Sequence, residues 1–274
     1  MENDPIKRFE SELLVTGYSK RTIKMYVLYA TEFSKLLKKP VENALREDII
    51  TFLAKKQSEG VSNTTLSFIW SALKAFLTNF LKLKCMEDVK RPKKGHYLPA
   101  VMTKAEVQSL FSACRTSFER AILELMYASG LRVSECINLK FEDIDFNEGI
   151  IQVRGGKGDK DRIVIASDMF LRLLEEFLPL RKRESEYVFY SDRVDKTHIS
   201  VKTAEKVVEN AAAKTGIKAY CHALRSSFAT HLIESGTDVH YVQKLLGHSS
   251  IRTTQGYLRV ADSSLLKVKS PIDA

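Results

Sequence analysis

Apolar residues recur at helical spacing through the first third of the chain. Ser19 can cap a segment in which Ile23, Tyr26, Ala30, Phe33 and Leu37 follow one another at intervals of three and four. A second stripe, Leu66, Ile69, Trp70, Leu73, Phe76, Leu77 and Phe80, lies behind Ser62 and Asn63. Shorter segments around Ile6–Leu14 and Asp48–Ala54 bring the expectation to about four helices, so residues 1–88 are predicted to form a small helical bundle. Trp70 lies within the stripe and is read as a core residue rather than a base-stacking one.

Further on, Thr103-x-x-Glu106 makes a capping box for a helix through Cys114, and a second helix from about Phe118 stops at Ser129-Gly130. The period then changes to two. Ile150–Arg154 and Arg162–Ala166 alternate apolar and polar residues on either side of a glycine-rich stretch, Gly155 to Asp161, which predicts a β-hairpin. Helical spacing returns in Met169–Leu178, Lys202–Ala213, Leu224–Glu234 and Asp238–Leu246. The expected fold class is therefore mainly α with a small β-sheet, and no internal repeat is visible. Between the halves, Val89 to Pro99 holds two prolines, a glycine and the cations Lys90, Arg91, Lys93 and Lys94. It predicts an extended basic linker, 89–101, ahead of a second domain over 102–274.

Charge sharpens this division. The 274 residues carry 43 Lys and Arg against 34 Asp and Glu, a net +9. Residues 1–95 hold +7 of it, which makes the N-terminal third the electrostatic handle for a polyanionic partner. A hydrophobic content of 44% with 12 Gly and 6 Pro excludes disordered, collagen-like and low-complexity classes. No stretch reaches the roughly 18 apolar residues of a membrane span. The start, Met1 to Pro5, lacks a positive region leading into an apolar run, so a cytoplasmic protein without a membrane partner is expected. Cys85, Cys114, Cys136 and Cys221 are widely spaced, with no zinc-finger pattern, and are read as buried reduced thiols. Cys221 adjoins His222, but a structural role is again the expectation.

Candidate chemistry is scattered along the second half. The glycine-rich tip is no P-loop, because Lys157 is followed by Gly158; it offers instead a lysine on an open turn, able to carry a proton into a groove or simply be solvated. His222 and Arg225 share one helical face, pairing a proton acceptor with a two-pronged anion clamp. His231 lies half a turn of arc away from His222, and with His96, His198 and His240 is read as structural. His248 follows a helix-stopping Gly247, Tyr257 comes nine residues later, and Arg132 follows Gly130. Each alone has a plain packing or surface explanation.

Taken in order, Arg132, Lys157, His222, Arg225, His248 and Tyr257 resemble the catalytic set of the tyrosine recombinase (phage integrase) family. The boxes Ala128-Ser129-Gly130-Leu131-Arg132-Val133-Ser134-Glu135, Gly156-Lys157-Gly158-Asp159-Lys160-Asp161-Arg162, Phe228-Ala229-Thr230-His231-Leu232 and Leu246-Gly247-His248 are similar to those of its Xer type. The resemblance covers essentially the whole chain. It departs at Cys221, where many relatives have proline, and at Ser226, where a histidine often follows the motif arginine.

The resemblance implies a two-domain DNA clamp, a helical DNA-binding domain joined by the linker to a catalytic domain. It implies that Tyr257 attacks a DNA phosphate to give a 3′-phosphotyrosyl intermediate. Arg132, Arg225 and His248 would stabilise the charged phosphorus centre, His222 would take the phenol proton and Lys157 would protonate the leaving 5′-oxygen. Glu135 resembles an acidic position that orients these groups. No metal and no nucleotide cofactor is expected, since guanidinium and ammonium groups neutralise the phosphate. Lys90, Arg91, Lys93 and Lys94 are expected to contact DNA phosphates. Four protomers on two sites, acting through a Holliday junction, are implied, with a second recombinase or a regulator as further partners. Ser263 to Val268 resembles a segment that docks into a neighbour, or is an ordinary terminal helix. The implied role is resolution of chromosome or plasmid dimers. The alternatives are a mobile-element integrase, a type IB topoisomerase and a non-catalytic DNA-binding regulator.

Overall fold

The computed structural model describes residues 4–93, 100–154, 161–181, 184–192, 197–248, 250–251 and 254–257. The glycine-rich tip with Lys157, Lys94 of the basic segment and the stretch Ser263 to Val268 lie outside the described residues. The chain divides into two compact units, Met1–Tyr97 and Leu98–Ala274.

The first unit is helical. α1 (Pro5–Val15) is capped by Asp4 and starts on a proline whose missing N–H costs nothing there. α2 (Lys20–Leu36) is capped by Ser19, α3 (Arg46–Ser58) by the Asp48 carboxylate on the Leu45 N–H, and α4 (Asn63–Leu73) by Ser62. α4 runs on into a wider π-helical segment, Lys74–Phe80. The predicted stripes meet in one core: Phe9 packs with its ring tilted against Phe76 and Phe80, and Phe33 meets Phe52 edge-on. Trp70 packs against that core, with its indole N–H donating to the Val89 carbonyl at 2.9 Å. The basic segment differs from expectation at its start. Val89 is buried, and Arg91 donates to the hydroxyls of Ser67 and Ser71 while lying over the Trp70 ring. These contacts make Val89–Arg91 part of the bundle, because an apolar side chain and a paired guanidinium gain more against α4 than in water.

The second unit holds α5 (Lys104–Ser112), α6 (Ser117–Ala128) and α7 (Val133–Ile137), then β1 (Ile144–Asp145), β2 (Ile150–Val153) and β3 (Arg162–Ile165). α8 (Asp168–Phe177), α9 (Val201–Thr215), α10 (Cys221–Glu234) and α11 (Val239–Leu246) follow. The sheet is antiparallel in the order β1-β2-β3, with Ile151 opposite Val164 in the predicted hairpin. Both α7 and β1 escape prediction, being too short to show a period. α6 and α10 form the centre, and every residue from Ala223 to His231 is buried. α10 starts at Cys221, three residues before the expected Leu224, which brings His222 into its first turn. The molecule is thus mainly α with a small sheet. No described helix is long and apolar enough to cross a membrane.

Candidate active site

Gly130 ends α6 at φ +60°, and a Cβ there would lie 2.4 Å from the Phe228 ring. Only glycine permits this turn, which swings the chain so that Arg132 stands at the N-cap position of α7. The Glu135 carboxylate, one turn on, accepts from the Arg132 backbone N–H and from its guanidinium, both at 2.7 Å. The same carboxylate receives a two-pronged bond from Arg162 of β3, at 2.9 and 2.7 Å, and lies 3.8 Å from Arg225. Burial alone would raise the Glu135 pKa, but the bonds from Arg162 and Arg132 hold it down to about 2. A buried anion therefore sits at the meeting point of three guanidinium groups.

These arginines are not equivalent. The Arg132 side chain remains 27% exposed, whereas that of Arg225 is 2% exposed and donates to the carbonyls of Gly130 and Leu246. Burial, and then the Arg132 charge, lower the Arg225 pKa to about 10, so it stays charged at neutral pH. Arg162 is the residue that sequence reasoning passed over. It lies within a quoted box, yet its partners come from α7 and from the Leu245 carbonyl at 2.8 Å. Gly247, at φ +62°, makes room for it; a Cβ there would be 3.0 Å from the Arg162 Cδ.

His248 follows that glycine. Its Nε2 lies 3.3 Å from an Arg225 Nη, and its Nδ1 lies 2.9 Å from the Thr254 hydroxyl. Burial, followed by the Arg225 and Arg132 charges, lowers its pKa to about 4. His222 reaches solvent from the first turn of α10, and its pKa is lowered by partial burial and by Arg225 and Arg132. Tyr257 stacks on the His248 ring, with centroids 6.2 Å apart and planes 18° from parallel, and is buried among Phe228, Ala229, Val242 and Leu246. Arg132, Glu135, Arg225, His248 and Tyr257 thus form one connected cluster, with His222 within range of its charges. Thr254, fully buried, was not singled out from the sequence; its position three residues before Tyr257 was the available signal.

Other candidates lie elsewhere. His231 bonds the Tyr127 hydroxyl at 2.8 Å. Burial pushes the Cys221 thiol up to about 11, which suits a structural thiol and not a nucleophile. Lys90, Arg91 and Lys93 are exposed on the first unit, although the Arg91 guanidinium is already bonded to Ser67 and Ser71. Among the described residues no group of His, Cys, Asp and Glu could hold a metal ion.

Residues 100–264 match the phage integrase family, and residues 6–87 match the phage integrase N-terminal SAM-like domain. Tyrosine recombinase XerA of Pyrococcus horikoshii is 38% identical over 267 residues, covering 97% of this chain and 92% of the relative. A crystal structure of XerA recombinase aligns with a TM-score of 0.57 at 31% identity, covering 97% of this chain and 96% of that one. A lambda integrase tetramer bound to a Holliday junction aligns at 0.75 with 21% identity, covering 92% and 76%, and shows the shared fold. From the matched families and the near full-length XerA relative, the chain belongs to the phage integrase family of DNA strand-transferring tyrosine recombinases, and to its Xer type.

Proposed function

We propose that the protein is a site-specific recombinase that cuts and rejoins duplex DNA through Tyr257, with resolution of chromosome or plasmid dimers as its role. One observation carries the reading: Tyr257 is stacked on a histidine that itself touches a buried, charged arginine, beside a second arginine open to solvent. A phosphodiester placed there gains negative charge as it is attacked, and fixed guanidinium groups stabilise that charge.

In the proposed step the Tyr257 oxygen bonds to phosphorus and the bond to the 5′-oxygen breaks, leaving a 3′-phosphotyrosyl link and a 5′-hydroxyl. His222, neutral at pH 7 because its pKa is lowered, takes the phenol proton. Lys157 gives a proton to the leaving oxygen. Glu135 keeps Arg132 and Arg225 aimed at the phosphate, and the arginines supply the charge that a metal ion otherwise would. The basic first unit holds the duplex through Lys90, Arg91, Lys93 and Lys94. Four protomers exchange strands through a Holliday junction, an assembly supported by the tetramer that the same fold makes in lambda integrase.

Nicked suicide duplexes selected by the protein from a random pool, incubated in EDTA and resolved on denaturing gels, test this. The expected product is a covalent adduct mapped by mass spectrometry to Tyr257 and absent from Tyr257→Phe. Adducts that persist in Tyr257→Phe, or none at all despite tight salt-sensitive binding, would overturn the reading.

A further inference from the structure

His248 is gripped at both ring nitrogens, and the two grips differ in kind. A guanidinium only donates hydrogen bonds, so the Arg225 Nη at 3.3 Å requires a lone pair on Nε2. The neutral ring therefore carries its proton on Nδ1, which donates to the Thr254 hydroxyl at 2.9 Å. This is the wrong form for catalysis. A phosphate oxygen only accepts, so Nε2 must carry the proton when DNA is bound, and Nδ1 then needs a donor.

We infer that Thr254 is a positioning residue whose hydroxyl, able to accept from Nδ1 or donate to it, lets His248 turn Nε2 from an acceptor facing Arg225 into a donor facing phosphate. The inference rests on the catalytic reading above. The exchange is neutral overall: Nδ1 releases its proton to water as Nε2 takes one from water, and the hydroxyl rotates. No apolar side chain of the same size could serve both forms. Thr254 is fully buried and shares the helical turn 254–257 with Tyr257. Seating the tyrosine therefore also seats the hydroxyl against His248, so the nucleophile and the phosphate-binding form of the histidine are made ready together.

Nitrogen NMR of histidine-labelled full-length protein reads the proton directly. The free wild type should carry it on Nδ1 of His248, and Tyr257→Phe protein bound to the selected duplex should carry it on Nε2. A free ring protonated at Nε2, or a doubly protonated ring in the complex, overturns the inference. Adduct formation at saturating duplex should fall on the order of 10²-fold in Thr254→Val, the cost of one lost transition-state donor, with duplex affinity unchanged. Thr254→Ser should recover most of the rate. Thr254→Val cleaving like wild type, or Thr254→Ser as slow as Thr254→Val, would overturn the role of the hydroxyl. A wild type that makes no adduct at all instead sinks the catalytic reading. The measurement on the free wild type stands even if Thr254→Val fails to fold.

Discussion

The two units are built on opposite principles. The first buries aromatic and aliphatic side chains almost exclusively, with Ser67 its one fully buried polar residue among those described. It keeps its positive charge outside, at Lys90 and Lys93. The second buries Arg225, Ser227 and Thr254, each with hydrogen-bond partners, and draws Glu135 and Arg162 nearly out of water with them. Apolar burial needs only a matching face and tolerates imprecision, whereas buried charge is stable only when every partner is in place. The difference teaches that the first unit leaves its charge on the surface, where the proposed function would use it to hold a polyanion, whereas the second gathers charges around one point.

That contrast can be broken, most forcefully at the carboxylate. Glu135→Ala leaves Arg162 and Arg225 buried without their anion; it should cost about 4 kcal/mol in denaturant unfolding followed by circular dichroism and abolish adduct formation. In the first unit, Phe76→Ala should cost about 3 kcal/mol through the cavity it leaves. Trp70, the single tryptophan, packs in that same core and its fluorescence reads the loss. Arg162→Lys keeps the charge but loses the planar fork on Glu135, so a loss of about 1–2 kcal/mol is expected. Adduct formation should slow while duplex affinity holds, and a wild-type rate would show that the fork is dispensable.

Acid should act on the second unit in a fixed sense. His248 takes up a proton near 6.5 when unfolded but only near 4 when folded, so between those values the unfolded chain binds more protons and stability falls as pH falls. Glu135 extends the loss below 4.5, toward about 2. Denaturant midpoints recorded between pH 7 and pH 4 check the direction, and a shallower profile in His248→Gln would assign its share, the remainder belonging to His222 and His231, whose pKa values are also lowered by burial. The smallest effect belongs to the surface. Lys90→Gln and Lys93→Gln should each reduce the salt slope of duplex binding by about 0.9 without changing stability.

Much of this was legible in the chain. The caps at Ser19, Ser62 and Thr103 and the stripe from Leu66 to Phe80 predict helices that the structure contains, because caps and i,i+3 or i,i+4 faces are local. Candidate residues were legible only as an ordered set resembling a family. Arg132, Arg225, His248 and Tyr257 do meet, but no spacing rule connects Arg132 with Tyr257. The packed start of the basic segment was not legible, since prolines and lysines look alike whether solvated or laid against α4. Nor was the burial of α10 from Ala223 to His231, since the face shared by His222 and Arg225 says nothing of what covers the other sides.

By itself, then, the sequence determined the helical bundle, the hairpin, the uneven charge and an ordered set of residues that resembles a catalytic one. The bundle and the hairpin follow from neighbours within a turn or two, the uneven charge is composition alone, and the residue set is read only through its likeness to a family. Only the tertiary structure decided that Glu135 would be shared by Arg132 and Arg162 beside Arg225, that Arg225 would be sealed from water, and that Thr254 would hold the ring of His248. Such pairings join residues from separate elements. They arise only when the core that those elements build excludes water and leaves each charge no other partner.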